Sequence, residues 1–381
     1  MLKRCLKCGL PETYETIEFD SNGICNICSQ NQFKNTQINW QDRKKMLQDL
    51  IKAHRGKYEY DCIVPFSGGK DSTFTLLYLI QEFKIKPLVV QFNHGFLRQQ
   101  VQKNNEKTFK KLGVDVLSFT PNWNVVKRLM LESLIRKGDF CWHCHTGIFS
   151  FPMQMAVKFN TPLIFWGEPS SEYTAYYDYQ DDQIEEVDEK RFNRFVNLGI
   201  TAEDMSGMIR NFELDPRDLD PYTFPPIGIL KKLRVRSVCL GSFIPWDTKA
   251  NVERITQELE WEGDEVEGMP FGKWPYEKIE CYMQGVRDYI KYLKRGYGRV
   301  TQMTALDLRN GRMAKQEAEK LIQEYEGKKP PSLALFLEYL GITEEKFNTL
   351  VAKTIVPPMQ PDFSSILTGT KTKDFDLWYR E

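Results

Sequence analysis

Short apolar runs alternate with longer amphipathic segments along the middle of the chain. Five runs have the length and apolar character of buried strands, at 61–66, 88–92, 114–119, 162–166 and 235–240. Apolar residues at helical spacing separate the first three runs, at 72–83 and 98–112, and another such segment precedes them at 42–54. Strands that are apolar on both faces and separated by helices are typical of a parallel sheet. The pattern therefore predicts an α/β fold with a doubly wound parallel sheet.

The segments on either side of these strands have other patterns. Residues 1–35 are rich in turns and hold four cysteines, and residues 173–230 form an acidic, aromatic and then proline-containing insertion. Beyond residue 250 the pattern is helical, with helices expected at 314–327, 332–340 and 344–353. We therefore predict three domains, namely a small cysteine-bearing unit at 1–35, the sheet domain at 36–250 and a helical C-terminal region at 251–381.

Composition and charge exclude several classes of protein. The 381 residues are 41% hydrophobic and 27% charged, which is typical of a folded chain with a sizeable core. The 52 basic residues equal the 52 acidic residues, so no global field attracts nucleic acid and we expect no nucleic-acid partner. Since the sequence has neither an apolar run of about 18 residues nor a signal-peptide core, we expect a cytoplasmic protein without a membrane partner.

The most informative motif is DCIVPFSGGKDS at 61–72, in which an apolar strand leads into two glycines and then an apolar helix. The glycines let successive backbone N–H groups point at one anion, and the helix N-terminus adds positive charge. The lysine provides a cation for phosphate, the aspartate a carboxylate for Mg²⁺, and the serines hydroxyl contacts. The motif is not a Walker loop, because Val64 occupies the position of that loop's first glycine. The residues predicted to bind a nucleotide here are Ser67, Gly68, Gly69, Lys70, Asp71 and Ser72.

Two further strands end in polar residues or glycine at the edge where parallel sheets bind ligands. Phe92 and Asn93 end the second strand, and we expect adenine to bind there. Gly167 follows the fourth strand and would let the backbone approach the nucleotide closely. Glu168 offers a carboxylate for Mg²⁺ or a substrate hydroxyl, and a structural salt bridge is an equal alternative.

Four cysteines near the N-terminus have the spacing of a zinc ribbon. Cys5 and Cys8 are followed, after sixteen residues, by Cys25 and Cys28. Two such pairs present four thiolates to one Zn²⁺ in a tetrahedron. Because no coordination position stays open, we expect a structural Zn²⁺ site that stabilises a unit too small to have a core of its own.

A second cysteine motif, CWHCH at 141–145, is harder to interpret. Two cysteines and two histidines within five residues cannot all reach one tetrahedral metal comfortably. The motif is compatible with half of a metal site, with a redox pair, or with a wall of the active site to which Cys141, His143 and Cys144 contribute. The remaining cysteines, which we expect to be core residues, are Cys62, Cys239 and Cys281.

Taken together, these motifs resemble two nested groups of proteins. The SGGKDS loop after a strand resembles the PP-loop of ATP pyrophosphatases, a group that includes GMP synthetase and tRNA-thiolating enzymes. The ordered set of motifs resembles the narrower family of N-acetyl sugar amidotransferases of the WbpG and PseA type. The segments that carry this resemblance are the four-cysteine unit, DFCWHCHTGI at 139–148, WGE at 166–168, NLGITAEDM at 197–205, LGSFIPW at 240–246 and RGYGR at 295–299.

The resemblance implies an ATP-dependent conversion of an acetamido group into an acetamidino group on a nucleotide-linked sugar, in the biosynthesis of lipopolysaccharide or another surface glycan. It implies adenylation of the amide oxygen, with ATP, Mg²⁺ and Zn²⁺ as cofactors and with Lys70, Asp71 and Glu168 as catalytic residues. Candidates for binding the anionic groups of the nucleotide sugar are Lys273, Arg295 and Arg299, and a solvated basic helix end is the alternative.

The sequence has no ammonia source of its own. A glutaminase with an N-terminal nucleophile needs Cys directly after the initiator Met, where Leu2 stands, and no Gly-x-Cys-x-Gly elbow is present. The family resemblance implies that a separate glutaminase and a cyclase-like companion supply the ammonia.

Two alternative functions remain compatible with the motifs. A PP-loop tRNA thiolase would share the loop, the ribbon and a cysteine pair, but it predicts a broad basic face and a third reactive cysteine. A non-enzymatic nucleotide sensor would share the α/β layout, but it does not explain the ribbon, the insertion or the C-terminal helices.

Overall fold

A five-stranded parallel sheet of order β3-β2-β1-β4-β5 forms the centre of the fold. The structure is a computed structural model that describes residues 2–172, 192, 196, 199–209 and 215–364. The strands are β1 Cys62–Pro65, β2 Pro87–Phe92, β3 Asp115–Phe119, β4 Leu163–Trp166 and β5 Arg236–Cys239. All five predicted strands are confirmed, and so is the α/β fold class, but β3 lies at the edge of the sheet and is largely exposed instead of buried.

Helices follow the strands and build the C-terminal part of the chain. In chain order they are α1 Asn26–Thr36, α2 Trp40–His54, α3 Lys70–Phe83, α4 Gln99–Leu112, α5 Trp123–Lys137, α6 Trp142–Lys158, α7 Ala202–Ile209, α8 Ile227–Leu233, α9 Thr248–Leu259, α10 Gln284–Arg295, α11 Arg299–Arg309, α12 Lys315–Tyr325, α13 Ser332–Leu340 and α14 Glu344–Ala352. The helices expected at 42–54, 72–83, 98–112 and in the last third of the chain are confirmed.

The sequence pattern did not predict α5 and α6, and packing on more than one side explains why. On α5, Leu129 belongs to the core that covers one face of the sheet, whereas Met130 and Leu134 belong to a second core formed with the C-terminal helices. A helix between two cores has no single polar face, so its sequence lacks the amphipathic period of a surface helix.

The strands alternate their side chains between two helical layers. Val64 and Val89 pack with Leu76 of α3 and with α9, whereas Ile63 and Val90 point to the opposite face and pack with α5 and α6. Because β1 lies between β2 and β4, the strand order reverses at β1. Open parallel sheets bind ligands at such a point, beyond the carboxyl ends of the strands. The 67–72 loop after β1 and the Gly167–Glu168 segment after β4 both lie there.

The C-terminal region packs against the rest of the chain at three places, one of which is the core of the sheet and α3, where Ile279, Val300 and Met303 are buried. Helices α10, α13 and α14 form the second core with α5, and the cysteine-bearing N-terminal unit packs on Tyr297 and on Ala305 of α11. The guanidinium of Arg295 also donates to the carbonyl oxygen of Thr13, at 2.7 Å. The N-terminal unit therefore shares its apolar core with α11.

Parts of the predicted organisation lie outside the described residues. Half of the insertion expected at 173–230 is among them, and so is the end of the tail at 365–381; the described half includes α7, a 3-10 helix at Pro216–Tyr222 and the start of α8. Among the described residues, no helix combines the length and the apolar character needed to cross a bilayer.

The packing of α6 on the sheet predicts the effect of a single methyl group. A Cβ at Gly147 would overlap the ring of Phe92 on β2, whereas a Cβ at Gly207 in α7 would meet no atom within 4 Å. We expect Gly147→Ala to lower the free energy of unfolding by about 1–3 kcal/mol through overpacking. The control Gly207→Ala should raise it by about 0.5–1 kcal/mol, since alanine favours helix. Urea unfolding measures both, and equal effects of the two substitutions would contradict the packing of α6.

Candidate functional site

The loop after β1 forms a turn that directs backbone N–H groups inward. Gly68 has a φ of +84°, which glycine adopts without strain, and the N–H groups of Ser67 and Gly68 both donate to the hydroxyl oxygen of Ser72, at 3.3 Å. Gly69 precedes the first residue of α3, so the positive end of that helix faces the same space. The loop is therefore built to receive an anion such as phosphate.

Residues from distant parts of the chain hold this loop in place. The indole N–H of Trp261 donates to the carbonyl oxygen of Gly68, at 3.2 Å. A Cβ at Gly68 would overlap Val101 and Asn105 of α4, and the buried side-chain oxygen of Asn105 has no hydrogen-bond partner among the described residues. Gly68 is therefore required both for its backbone angle and for the close approach of α4.

Lys70, the first residue of α3, is buried between two carboxylates. Its ammonium lies 2.8 Å from a carboxylate oxygen of Asp71 and 3.2 Å from one of Glu277. Burial alone would lower the pKa of Lys70, but Asp71 and Glu277 raise it well above its ordinary value. Burial acts in the opposite direction on Glu277, yet Lys70 and Arg299 lower its pKa to about 2. Both groups are therefore charged at neutral pH.

An ion-pair relay runs from this lysine into the C-terminal region. Glu277 also contacts Arg299 at the start of α11, at 3.2 Å, and Arg299 contacts Asp288 of α10, again at 3.2 Å. The order Asp71, Lys70, Glu277, Arg299, Asp288 alternates in sign at every step. The C-terminal helices are thus coupled electrostatically to the phosphate loop.

Two further carboxylates lie at the loop. Burial and the nearby Asp71 raise the pKa of Glu168 to about 8, against the opposing effect of Lys70. Glu280 comes from the same turn as Glu277, and its carboxylate occupies the space that a Cβ on Gly69 would need. Gly167 lies so close to the backbone of Asp71 that a Cβ there would be 3.0 Å from its carbonyl oxygen. Carboxylates grouped in this way form a donor set that suits Mg²⁺.

These groups line a cavity of about 530 Å³, a size typical of small-molecule sites. Of the residues that the sequence analysis selected, the lining contains Ser67, Lys70, Asp71, Ser72, Phe92, Cys141, His143, Cys144, Gly167, Glu168 and Arg299. The C-terminal region contributes a large share of the wall, including Glu277, Lys278, Glu280, Cys281, Arg287 and Lys291.

Three residues that the sequence suggested for ligand binding, Asn93, Lys273 and Arg295, form contacts within the protein and are not among the cavity-lining residues. The side-chain oxygen of Asn93 accepts the N–H of Gly95, and its amide donates to Thr120. Lys273 forms an ion pair with Glu317, and Arg295 faces the N-terminal unit through Thr13 and Glu15.

Imidazoles and thiols form another part of the cavity wall. His94 and His143 are both buried, and burial lowers their pKa values to about 4 and about 3, so both are neutral at physiological pH. Neither ring nitrogen of His143 has a hydrogen-bond partner among the described residues. The thiols of Cys141 and Cys144 lie on the same wall.

Cys281 differs from the sequence-based expectation of a core residue, which is wrong. It is only partly buried and lines the cavity with the other two thiols, whereas Cys62 and Cys239 are buried as expected. The reason is tertiary, because the backbone at Cys281 pairs with Leu97 in the segment after β2. This pairing brings the turn at 280–283 to the ligand-binding edge of the sheet.

The four N-terminal cysteines meet as their spacing predicts. Their sulfur atoms all lie within 4.8 Å of one another, and the Cys5–Cys28 and Cys8–Cys25 pairs are 3.9 Å and 3.7 Å apart. A tetrahedron with metal–sulfur bonds of about 2.3 Å has edges of about 3.8 Å, so the group has the dimensions of a four-thiolate metal site.

Sequence reasoning missed several residues that complete the site. Trp261, Glu277 and Glu280 lie about two hundred positions after the loop that they contact, in turns between helices, where no spacing rule applies. The only sequence signal was the concentration of charged and aromatic residues in KWPYEKIEC at 273–281.

The buried neutral state of His94 predicts a dependence of stability on pH. Its Nδ1 accepts the N–H of Phe96, at 3.2 Å, and its pKa is lowered from 6.5 to about 4. The stabilisation is therefore complete above pH 6.5 and is lost as the pH falls toward 4. His94→Asn keeps a hydrogen-bond acceptor but cannot titrate. Between pH 6.5 and 4 we therefore expect the unfolding free energy of the wild type to fall by roughly 1–3 kcal/mol more than that of the variant. Denaturant unfolding at several pH values measures this, and parallel pH profiles would contradict a buried neutral His94.

Two known proteins are similar to this chain over part or most of its length. An uncharacterised protein of Methanocaldococcus jannaschii is 26% identical over 147 residues, which are 36% of this chain and 50% of that protein. The chain thus spans about half the length of this curated relative. A solved structure, the U34-tRNA thiolase NcsA from Methanococcus maripaludis with its [4Fe-4S] cluster, is 14% identical, with a TM-score of 0.31 over 86% of this chain and 90% of that one.

A family comparison covers the region that completes the cavity. Residues 271–363 match the family described as "LPS biosynthesis protein WbpG-like, C-terminal domain". The match includes the turn with Glu277 and Glu280, the basic helix α10, and α11 to α14. Residues 271–363 of this chain are therefore similar to the C-terminal domain of WbpG-like lipopolysaccharide biosynthesis proteins.

Proposed function

We propose that the chain is an ATP-dependent, AMP-forming amidotransferase that converts an acetamido group of a nucleotide-linked sugar into an acetamidino group. The observation that carries the proposal is the ion pair between Lys70 of the phosphate loop and Glu277 of the WbpG-like region, at 3.2 Å. Because both residues line one cavity, a nucleotide bound at the loop would react next to the region typical of lipopolysaccharide biosynthesis proteins.

The reaction needs activation, because an amide carbon is a poor electrophile with a poor leaving group. In the proposed reaction, the amide oxygen attacks the α-phosphorus of ATP and pyrophosphate leaves. Ammonia then adds to the activated carbon, gives up protons, and AMP departs with the former amide oxygen. The loop N–H groups and Lys70 would stabilise the negative charge of the leaving pyrophosphate.

Asp71 and Glu168 would hold Mg²⁺, since both carboxylates line the cavity next to the phosphate loop. Both are acidic side chains at the switch point of the sheet, and the raised pKa of Glu168 reflects its burial and the nearby Asp71. A divalent cation would compensate this crowding of carboxylates. When bound, Mg²⁺ supplies positive charge for the phosphates of the nucleotide.

Zn²⁺ is the metal that best suits the four N-terminal thiolates. Their tetrahedral dimensions and their burial leave no position for a substrate, so the site would be structural. Because the N-terminal unit packs on α11, the metal would also support the helix that carries Arg299.

The proposed reaction is tested with purified chain, ATP, Mg²⁺, ammonium chloride and a UDP-linked diacetamido sugar. We expect AMP and pyrophosphate in equal amounts, with a product lighter by the difference between an oxygen atom and an NH group. Asp71→Asn and Lys70→Met should each lower the rate at least a hundredfold, because pyrophosphate loses its stabilisation. Lys249→Met, which removes an exposed lysine of α9, is the matched control and should keep the wild-type rate.

Mass spectrometry of the sugar and chromatography of the nucleotides give both readouts. Thermal unfolding of each variant shows whether the fold is intact. Formation of ADP and phosphate in place of AMP and pyrophosphate would refute the proposed reaction.

The proposal includes a separate source of ammonia, namely a glutaminase with a cyclase-like companion. Supporting it, the sequence has no Gly-x-Cys-x-Gly elbow of the kind that carries the nucleophile of triad-type glutaminases. The chain alone should therefore use ammonium but not glutamine, and its rate at fixed total ammonium should rise with pH, because only neutral NH₃ has the lone pair that attacks carbon. Amidine formation from glutamine by the chain alone, with contaminating glutaminase excluded, would contradict the need for a partner.

A second candidate, ATP-dependent thiolation of tRNA, is favoured by one observation. Cys281 joins Cys141 and Cys144 at the cavity and supplies the third thiol that the sequence had not suggested. The two candidates share the adenylation step but differ in the acceptor. AMP release that depends on unmodified tRNA and sulfide, and not on the sugar, would favour thiolation.

A further inference from the structure

Helix α10 presents two cations to the cavity. Val286, Ile290 and Leu293 face the core that α10 shares with α5, α13 and α14. Arg287 and Lys291 lie four positions apart on another side of the helix, and both line the cavity. Like charges at this spacing repel each other, so the helix bears an electrostatic cost at this position.

Most other cations of the cavity already have an acidic or thiolate neighbour. Lys70 contacts Asp71 and Glu277, and Arg299 contacts Glu277 and Asp288. Lys278 acts electrostatically on Glu168 and Glu277, and Arg309 faces the sulfurs of Cys8 and Cys28. Lys70 and Arg299 are therefore paired directly, whereas Lys278 and Arg309 interact with acidic or thiol groups only electrostatically.

Arg287 and Lys291 differ from Lys70 and Arg299, although Cys141, Asp139 and Asp288 raise the pKa of Arg287 against the effect of burial. No carboxylate in the described part of the chain lies within ion-pair distance of either side chain, and the Nε of Arg287 is fully buried without a hydrogen-bond partner there. The nearest acidic groups that act on them are Asp139, Asp288 and Glu15, and Asp139 already accepts the N–H of Cys141, at 2.7 Å. Burial, together with Arg299 and Arg287, lowers the pKa of Lys291 to about 8.

We propose that Arg287 and Lys291 form a binding site for an oxyanion of the second substrate, either a phosphoryl group or a carboxylate. A guanidinium binds either anion with two parallel hydrogen bonds, and an ammonium adds a point charge. The anion would compensate two cations that the described part of the protein leaves without a counter-ion, and it would anchor the substrate away from the reacting group. The inference deepens the proposed function and rests on it for the identity of the substrate.

The location separates this site from the nucleotide loop. The ion pairs of Glu277, Arg299 and Asp288 connect Lys70 to α10, and the charges of these three residues are already paired. The pyrophosphate of ATP would take the loop, so the cations of α10 remain for the other substrate in the same cavity. Lys273 and Arg295, which the sequence had suggested for this role, face Glu317 and the N-terminal unit instead.

Binding can be measured without turnover by calorimetry, using UDP, UDP-N-acetylglucosamine and N-acetylneuraminate as separate probes. We expect at least one of them to bind, and Arg287→Gln and Lys291→Met each to weaken that binding about tenfold or more, the loss typical of one charge-assisted hydrogen bond. Affinity for ATP should change less than about threefold. The first two probes test a phosphoryl group and the third a carboxylate, so the pattern identifies the source of the anion.

Stability supplies a readout that does not depend on activity. Lys291 is partly buried and has no carboxylate within ion-pair distance among the described residues, so Lys291→Met should raise the thermal midpoint of the unliganded chain, while the shift caused by the bound probe should shrink. Lys320→Met, which removes an exposed lysine of α12, is the control and should leave the probe affinity unchanged.

The outcomes separate this inference from the proposed function. Failure of all three probes to bind, unchanged probe affinity in both variants, or a tenfold loss of ATP affinity instead, would overturn the oxyanion site. Variant-sensitive binding of a probe without any amidine formation would leave the site standing and refute the proposed reaction.

Discussion

The buried ammonium of Lys70, held between Asp71 and Glu277, is the interaction on which the site depends. Only 5% of its side chain is exposed, and a lysine buried alone would lose its proton and with it the charge that phosphate requires. Glu277 preserves that charge and is itself balanced by Arg299. Removing any member of the relay would leave an unpaired buried charge, which is strongly destabilising, whereas the intact buried ion pairs add little net stability. The relay therefore holds the C-terminal region over the loop mainly because breaking an ion pair is costly.

This relay divides the cavity into parts of different chemistry. Carboxylates gather where the strand order reverses, next to a loop that offers N–H groups, and this combination suits a nucleotide with its cation. Arg287 and Lys291 of α10 have no carboxylate within ion-pair distance in the described part of the chain, and neutral imidazoles and thiols complete the wall. A cavity that pairs a nucleotide loop with an anion anchor is suited to join two charged substrates, because each anion has its own place.

The cysteine-bearing N-terminal unit is connected to the ion-pair relay through α11. It buries its four thiols against Tyr297 and α11, and Arg309 at the end of α11 faces the sulfurs. Its partner helix begins with Arg299, a member of the relay to Lys70. A metal that shapes this unit would therefore act on the site through the packing of one helix, without contacting a substrate.

The local sequence determined those features that depend on residues close together in the chain, namely the strands, the phosphate loop and the four-thiol group. The strands could be predicted because both faces of a central parallel strand are buried and its residues are apolar throughout. The loop at 67–72 could be predicted because its glycines and lysine must be adjacent in sequence to form an anion nest. The four-thiol group was readable for the same reason, since two tight turns fix each pair. Tertiary structure alone decided which remote residues complete the site. Trp261, Glu277 and Cys281 reach the sheet edge because the turns that carry them pack there. Lys273 and Arg295 contact other parts of the chain, although the sequence had suggested both for binding anionic groups. The sequence gives the ionisable type of each residue, but whether its charge is neutralised depends on neighbours that only the packing of the chain brings together.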